Sequence, residues 1–125
     1  MTKNSASKKH GLIQSILVSV IENLEMPRGW VLQHVETEYP YDSYNKVYKI
    51  DCHAQWRSNK KEKYELLIEV QKNLNEPSFL EKVEKLKMIN KMDSKKIFNI
   101  IHEDNVPDNM LDAYDYLKSR IQYPW

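Results

Sequence analysis

Cysteine occurs once, at position 52, so no internal disulfide can form and a zinc site built on several thiolates is excluded. Glycine occurs twice, at positions 11 and 29, and neither opens a Gly-rich phosphate loop. Long apolar runs are missing as well. The most hydrophobic stretch, Leu12 to Leu24, is interrupted by Gln14, Ser15, Ser19, Glu22 and Asn23, which makes it too short and too polar to span a bilayer. The first ten residues are polar and have no secretion-signal pattern. A net charge of +1 gives no global electrostatic argument for a nucleic-acid partner. These absences lead to the expectation of a soluble, cytoplasmic protein with no membrane partner. Its 125 residues suit a single domain, with residues 1–9 as a polar, frayed tail.

Two segments carry most of the information, Val47 to Trp56 and Tyr64 to Lys72. Apolar and polar residues alternate in both, as in strands with one buried face. Alternation puts Lys49, Asp51 and His53 on one polar face of the first strand, and Glu69 with Gln71 on that of the second. Between them, Arg57 to Lys63 is a polar, basic stretch that reads as a hairpin loop. If the hairpin is symmetric about Lys60, Trp56 faces Tyr64, Asp51 faces Glu69 and Lys49 faces Gln71. Two carboxylates opposite each other are destabilising unless a cation serves them. Mg2+, commonly held by one or two carboxylates, is the natural candidate. The plainer alternative is a solvated sheet face that carries two acids.

Helical spacing of Leu12, Ile13, Ile16, Leu17, Val20, Ile21 and Leu24 predicts a helix from His10 to Glu25, stopped by Pro27 and Gly29. Trp30 to Glu36 reads as a first strand with Trp30, Leu32 and His34 on one face. Thr37 to Lys46 reads as a loop rich in tyrosine, whose rings are expected to pack over a core edge rather than stack on a base. Ser78 to Glu81 has the form of a capping box and opens a helix to about Met92, with Phe79, Leu80, Val83, Leu86 and Ile89 or Asn90 at helical spacing. Met88 and Met92 read as core filler. Lys96 to His102 predicts a buried strand. A last helix, capped by Asn105 or Asp108, carries Leu111, Tyr114, Leu117 and Ile121. The C-terminal Tyr123-Pro124-Trp125 is a candidate for docking on a surface or partner.

The order α, β, β, β, α, β, α, with Asp51 on the second strand and Glu69-Val70-Gln71 on the third, resembles the PD-(D/E)XK, or restriction-endonuclease-like, nuclease superfamily. The resemblance implies an α/β fold with a mixed four-stranded sheet flanked by helices, and a fourth strand parallel to the third. It implies a metal-dependent nuclease acting on DNA, with Mg2+ or Mn2+ held by Asp51, Glu69 and the carbonyl of Val70. The family's lysine two residues after the second acid is Gln71 here. An amide can position a water but cannot stabilise hydroxide as an ammonium can. Lys49, on the face of Asp51, is therefore expected to supply the charge. Asp42, two residues after Pro40, is a rival for the first acid, while strand parity favours Asp51. Relatives often add an acid from the first helix, for which Glu25 is a candidate, with Glu36 at the end of the first strand as an alternative. His53 shares the face of Asp51 and is open to a phosphate-binding, metal-binding or structural role. Arg57, Lys60, Lys61 and Lys63 would contact DNA phosphates, and a domain this small would reach both strands as a homodimer. The position-71 glutamine leaves a second reading, a nuclease-fold protein without chemistry that binds nucleic acid or protein.

Overall fold

The computed structural model describes residues 2–43, 46–88 and 94–125. Its elements are α1 (Thr2–Glu22), β1 (Trp30–Ser43), β2 (Lys46–Ser58), β3 (Lys63–Gln71), α2 (Pro77–Met88), β4 (Ser94–His102), a short 3-10 turn (Glu103–Asn105) and α3 (Met110–Arg120). One four-stranded sheet has the order β1-β2-β3-β4. The pairs β1/β2 and β2/β3 are antiparallel, and β3/β4 is parallel. The fold is therefore mixed α/β, with the expected element order.

The central strand β3 is buried on both sides, as a near-continuous apolar run requires. On one face, Cys52, Ala54, Trp56, Leu66, Ile68 and Val70 meet Ile13, Leu17, Val20 and Ile21 of α1 and Leu117 of α3. On the other, Leu67 meets Leu86 of α2 together with Tyr41, Tyr48 and Ile50. The β2/β3 register is the symmetric one, with Trp56 opposite Tyr64 and Cys52 opposite Ile68.

Strict alternation fails at two levels of the sheet. A bulge between Leu32 and His34 shifts the β1 register by one residue. Trp30, Leu32 and Val35 consequently pack toward α1 and α3, while His34 stacks on His53. The second break lies at Asp51. Cys52, Ala54 and Trp56 belong to the α1/α3 core, whereas Ile50 and Tyr48, of the same parity, belong to the α2 core. On β1 the same switch separates Val35 from Tyr41 and passes through Glu38, whose φ of 51° lies in the left-handed region. The pairs Thr37/Cys52 and Tyr39/Ile50 flank Glu38 and Asp51, so both strands change faces at one level.

Several boundaries differ from the sequence expectation. α1 reaches back to Thr2, through the expected tail, and ends at Glu22. Gly29, at φ 93°, turns the chain into β1. The tyrosine-rich stretch is strand rather than loop, because Tyr41 is buried against Glu65 and Tyr39 lies flat on His53. α2 opens on Pro77, whose missing N–H costs nothing at a first helical position, and the Ser78 hydroxyl donates to Glu76 instead of capping. α3 is capped by Asn109, whose Oδ1 accepts from Leu111 N and Asp112 N, and the 3-10 turn occupies the Asn105 position. Leu111 is 77% exposed, so the buried stripe of α3 is Ala113 and Leu117, continued by Ile121. Tyr44 and Asn45 of the expected loop, and Ile89, Asn90 and Met92 of the expected helix, lie outside the described residues. The C-terminal Trp125 docks on the protein's own sheet, edge-on to Trp56 at 4.9 Å.

Candidate functional site

Asp51 sits where β2 parts from β3, beyond the last β2/β3 pair at Cys52 and Ile68. The side chain takes the place of the missing ladder: Oδ2 accepts a 2.7 Å hydrogen bond from the Val70 N–H. Its other oxygen lies 3.0 Å from His10 Nε2. Gln14, one turn along α1 from His10, donates through Nε2 to the Asp51 carbonyl and to Glu38 Oε1, both at 3.0 Å. His10 Nδ1 is 3.9 Å from Oε1 of the buried Glu103, at the end of β4. A turn of α1, the face-switch of β1 and β2 and the exit of β4 thus converge on one carboxylate.

Glu69 completes the cluster from β3, with a side chain only 3% exposed. It shares a hydrogen bond with Asp51. Lys82 of α2 reaches over it, with Nζ 2.5 Å from Glu69 Oε1 and donating to the Lys49 carbonyl at 2.6 Å. Burial raises the Glu69 pKa, the hydrogen bond with Asp51 and the repulsion between the two acids raise it further, and Lys82 offsets only part of this. Burial alone would also raise the pKa of Asp51, but hydrogen bonds from His10, Glu69 and the Val70 N–H outweigh it and hold that carboxyl below its usual range. The hydrogen bond to Asp51 raises the pKa of His10 against the opposing effect of burial. Asp51 is accordingly the more acidic member of the pair and Glu69 the less acidic one.

This has a measurable consequence in the metal-free protein. Because the Glu69 pKa is higher folded than unfolded, its contribution to stability is fully present below the ordinary glutamate value. It is lost as pH rises through the folded value. Glu69→Gln removes that loss. Urea unfolding at pH 5 and pH 8 is expected to show the variant gaining about 1 kcal/mol relative to wild type at the higher pH. A wild-type minus variant difference that does not change with pH would contradict the assignment.

Of the residues expected at the site, Asp51, Glu69 and Val70 are brought together. Lys49 is not there as a cation. Because alternation breaks at Asp51, its neighbours Tyr48 and Ile50 turn into the α2 core, and Lys49 is exposed and offers only its carbonyl. Gln71 also looks away, its amide donating to the Asn73 carbonyl at 3.1 Å and to Glu76 Oε2 at 3.3 Å. Arg57 lies six residues along β2 from Asp51, about 20 Å at ~3.3 Å per residue, and Lys60, Lys61 and Lys63 belong to the same distant end. Glu25 follows α1 at the end remote from His10, while Glu36 and Asp42 are exposed opposite His53 and Val47. His53 is buried opposite Leu67 of β3 and engaged away from the cluster, 2.7 Å from His34 and stacked on Tyr39.

The sequence reading missed His10, Gln14, Glu38, Lys82 and Glu103. One usable signal existed for the first two, a polar pair four residues apart in a helix that was otherwise apolar on that side. His10, Glu38 and Asp51 each offer a ligand atom, all within 4.8 Å of one another, and this group can hold a metal ion. No helix among the described residues is long and apolar enough to cross a membrane. Comparison of the chain with protein-family models, curated proteins and solved structures gives no match.

Proposed function

We propose that the protein is a metal-dependent nuclease that hydrolyses DNA phosphodiester bonds at the Asp51/Glu69 cluster. The observation that carries this reading is the buried pairing of Asp51 with Glu69 under the ammonium of Lys82. Even with Glu69 holding its proton, the carboxyl groups of Asp51, Glu38 and Glu103 face one ammonium and one imidazole, a deficit of positive charge. A divalent ion suits that deficit, and carboxylate oxygens are the donors Mg2+ and Mn2+ take. Asp51 and Glu69 would hold it, with the main chain of Val70 beside them. Bound there, the ion would supply Lewis-acid charge at the phosphate and a lowered pKa for its water.

The protein's own groups have definable tasks. Asp51 stays ionised through its hydrogen bonds and anchors the site to β3. Lys82 supplies the fixed positive charge expected of position 71 or of Lys49, and supports the phosphate as charge develops on it. Lys85, exposed one turn beyond Lys82 on α2, extends the basic surface and suits a backbone phosphate. A homodimer would let such a small domain reach both strands.

One observation favours a second reading, a nuclease-fold module that binds nucleic acid or protein without cleaving: the Gln71 amide is occupied by the β3/α2 loop and takes no part in the cluster. Plasmid and branched DNA, incubated with Mg2+ or Mn2+ and with or without chelator, separate the two. The nuclease reading expects cleavage that chelator stops and that Asp51→Ala and Glu69→Ala abolish. Salt-sensitive binding without metal-dependent cleavage would sink it in favour of the binding module.

A further inference from the structure

Mg2+ prefers an all-oxygen set, and the ligands gathered at the start of α1 are not one. His10 brings a nitrogen, a donor that first-row transition ions accept more readily than Mg2+ does, with affinity rising from Mn2+ to Co2+. The spacing agrees with a shared ion. The 3.0 Å between His10 Nε2 and Asp51 Oδ1 matches two ligands at right angles on an ion with bonds of about 2.1 Å. Gln14 fixes the other acid by bonding Glu38 Oε1 and the Asp51 carbonyl together.

An independent observation concerns Glu103. Its side chain is 6% exposed, and its Oε1 accepts no hydrogen bond among the described residues although it faces His10 Nδ1 at 3.9 Å. A buried carboxylate oxygen without a donor is costly. Metal-bound histidines commonly give their second N–H to a carboxylate, which fixes the tautomer and the ring orientation. Glu103 stands where that partner belongs.

We propose that His10, Glu38 and Asp51 bind a first-row transition ion such as Mn2+, with Glu103 as the positioning residue that orients the His10 ring. Use of the ion in cleavage rests on the nuclease reading, whereas its binding does not. The site shares Asp51 with the Asp51/Glu69 pair, so an ion here lies at the edge of the same cluster.

The test uses the full-length, metal-stripped protein without DNA, titrated calorimetrically with MnCl2, CoCl2 or MgCl2, and the visible absorption of bound Co2+. Mn2+ and Co2+ are expected to bind at least about tenfold more tightly than Mg2+. His10→Ala should weaken Mn2+ binding at least about tenfold and change the Co2+ spectrum. Glu103→Ala should weaken it about tenfold, with Glu103→Gln recovering most of the loss. Circular dichroism of the metal-free variants checks their folding, and His10→Gln serves as a second variant should His10→Ala misfold. Equal affinity for Mg2+ and Mn2+, or unchanged Mn2+ affinity in both His10 variants, overturns the proposal. Mn2+ binding that depends on His10 in a protein that cuts no DNA supports it and overturns the nuclease reading alone. Mg2+-dependent cleavage with unchanged Mn2+ affinity in the His10 variants does the reverse.

Discussion

Lys82→Ala is expected, on the proposed nuclease reading, to slow DNA cleavage by about 10²–10³-fold, the usual cost of removing one preorganised group that stabilises developing charge. Lys49→Ala is expected to leave the rate within about twofold. The contrast follows from position, since Lys82 Nζ lies 2.5 Å from Glu69 Oε1 whereas Lys49 contributes a main-chain oxygen and is exposed. A second signature separates Lys82 from a residue that only supports the fold. Its ammonium lowers the pKa of Glu69 against burial and the Asp51 charge, so its removal lets that pKa rise further. The pH at which Glu69 becomes an available carboxylate then moves up, and the alkaline shift should appear in single-turnover nicking rates between pH 6 and pH 9. Lys82→Arg keeps the charge on a different geometry and should fall between wild type and Lys82→Ala. A large loss in Lys49→Ala with an active Lys82→Ala would remove Lys82 from the site.

Asp51 joins fold and chemistry, which complicates its replacement. Its Oδ2 satisfies the Val70 N–H at the point where the β2 ladder has ended, so Asp51→Ala leaves a main-chain donor without its acceptor as well as removing an acid. Asp51→Asn keeps an oxygen for Val70 and is the cleaner probe of charge. The same economy explains the location of the cluster. A level at which two strands exchange faces opens the sheet, and side chains there can reach both the α1 layer, through His10 and Gln14, and the α2 layer, through Glu69 and Lys82.

The legible parts of the sequence were those where one periodicity runs undisturbed. β3 alternates without a break, and the polar hairpin loop fixes its register on β2, so Glu69 and the level of Asp51 could be read directly. Lys49 could not, because the rule that placed it assumes an unbroken pleat, and the pleat breaks at Asp51. Glu38 was hidden for the same reason. It lies in a tyrosine- and proline-containing stretch with loop composition, yet forms strand because Tyr39 and Tyr41 find buried partners on β2 and β3. Lys82 and Glu103 come from α2 and from the end of β4, and their approach to the cluster depends on how those elements pack, which no local spacing encodes. The cap of α3 was missed by a single residue, Asn109 for Asp108, since adjacent Asp and Asn offer equivalent side-chain acceptors.

Trp56→Ala is expected to cost about 3–5 kcal/mol, a large part of the roughly 5–15 kcal/mol that holds a domain of this kind together. Trp56 is fully buried in the core that α1 and α3 form against the sheet. Its indole N–H has no acceptor among the described residues, so Trp56→Phe sheds an unsatisfied donor along with part of the ring and should cost less than half as much. The chain terminus enters the same balance: Trp125 stands edge-on to Trp56 and near Trp30 and Tyr64, with ring centroids 4.9, 6.4 and 6.2 Å away. Trp125→Ala should therefore destabilise the protein, and a double-mutant cycle with Trp56→Ala should give a coupling of about 0.5–1.5 kcal/mol by urea unfolding. Zero coupling would mean that Trp125 merely rests on the sheet surface. A coupling in that range would make the last residues part of the core that positions β2, and through β2 the Asp51 carboxylate.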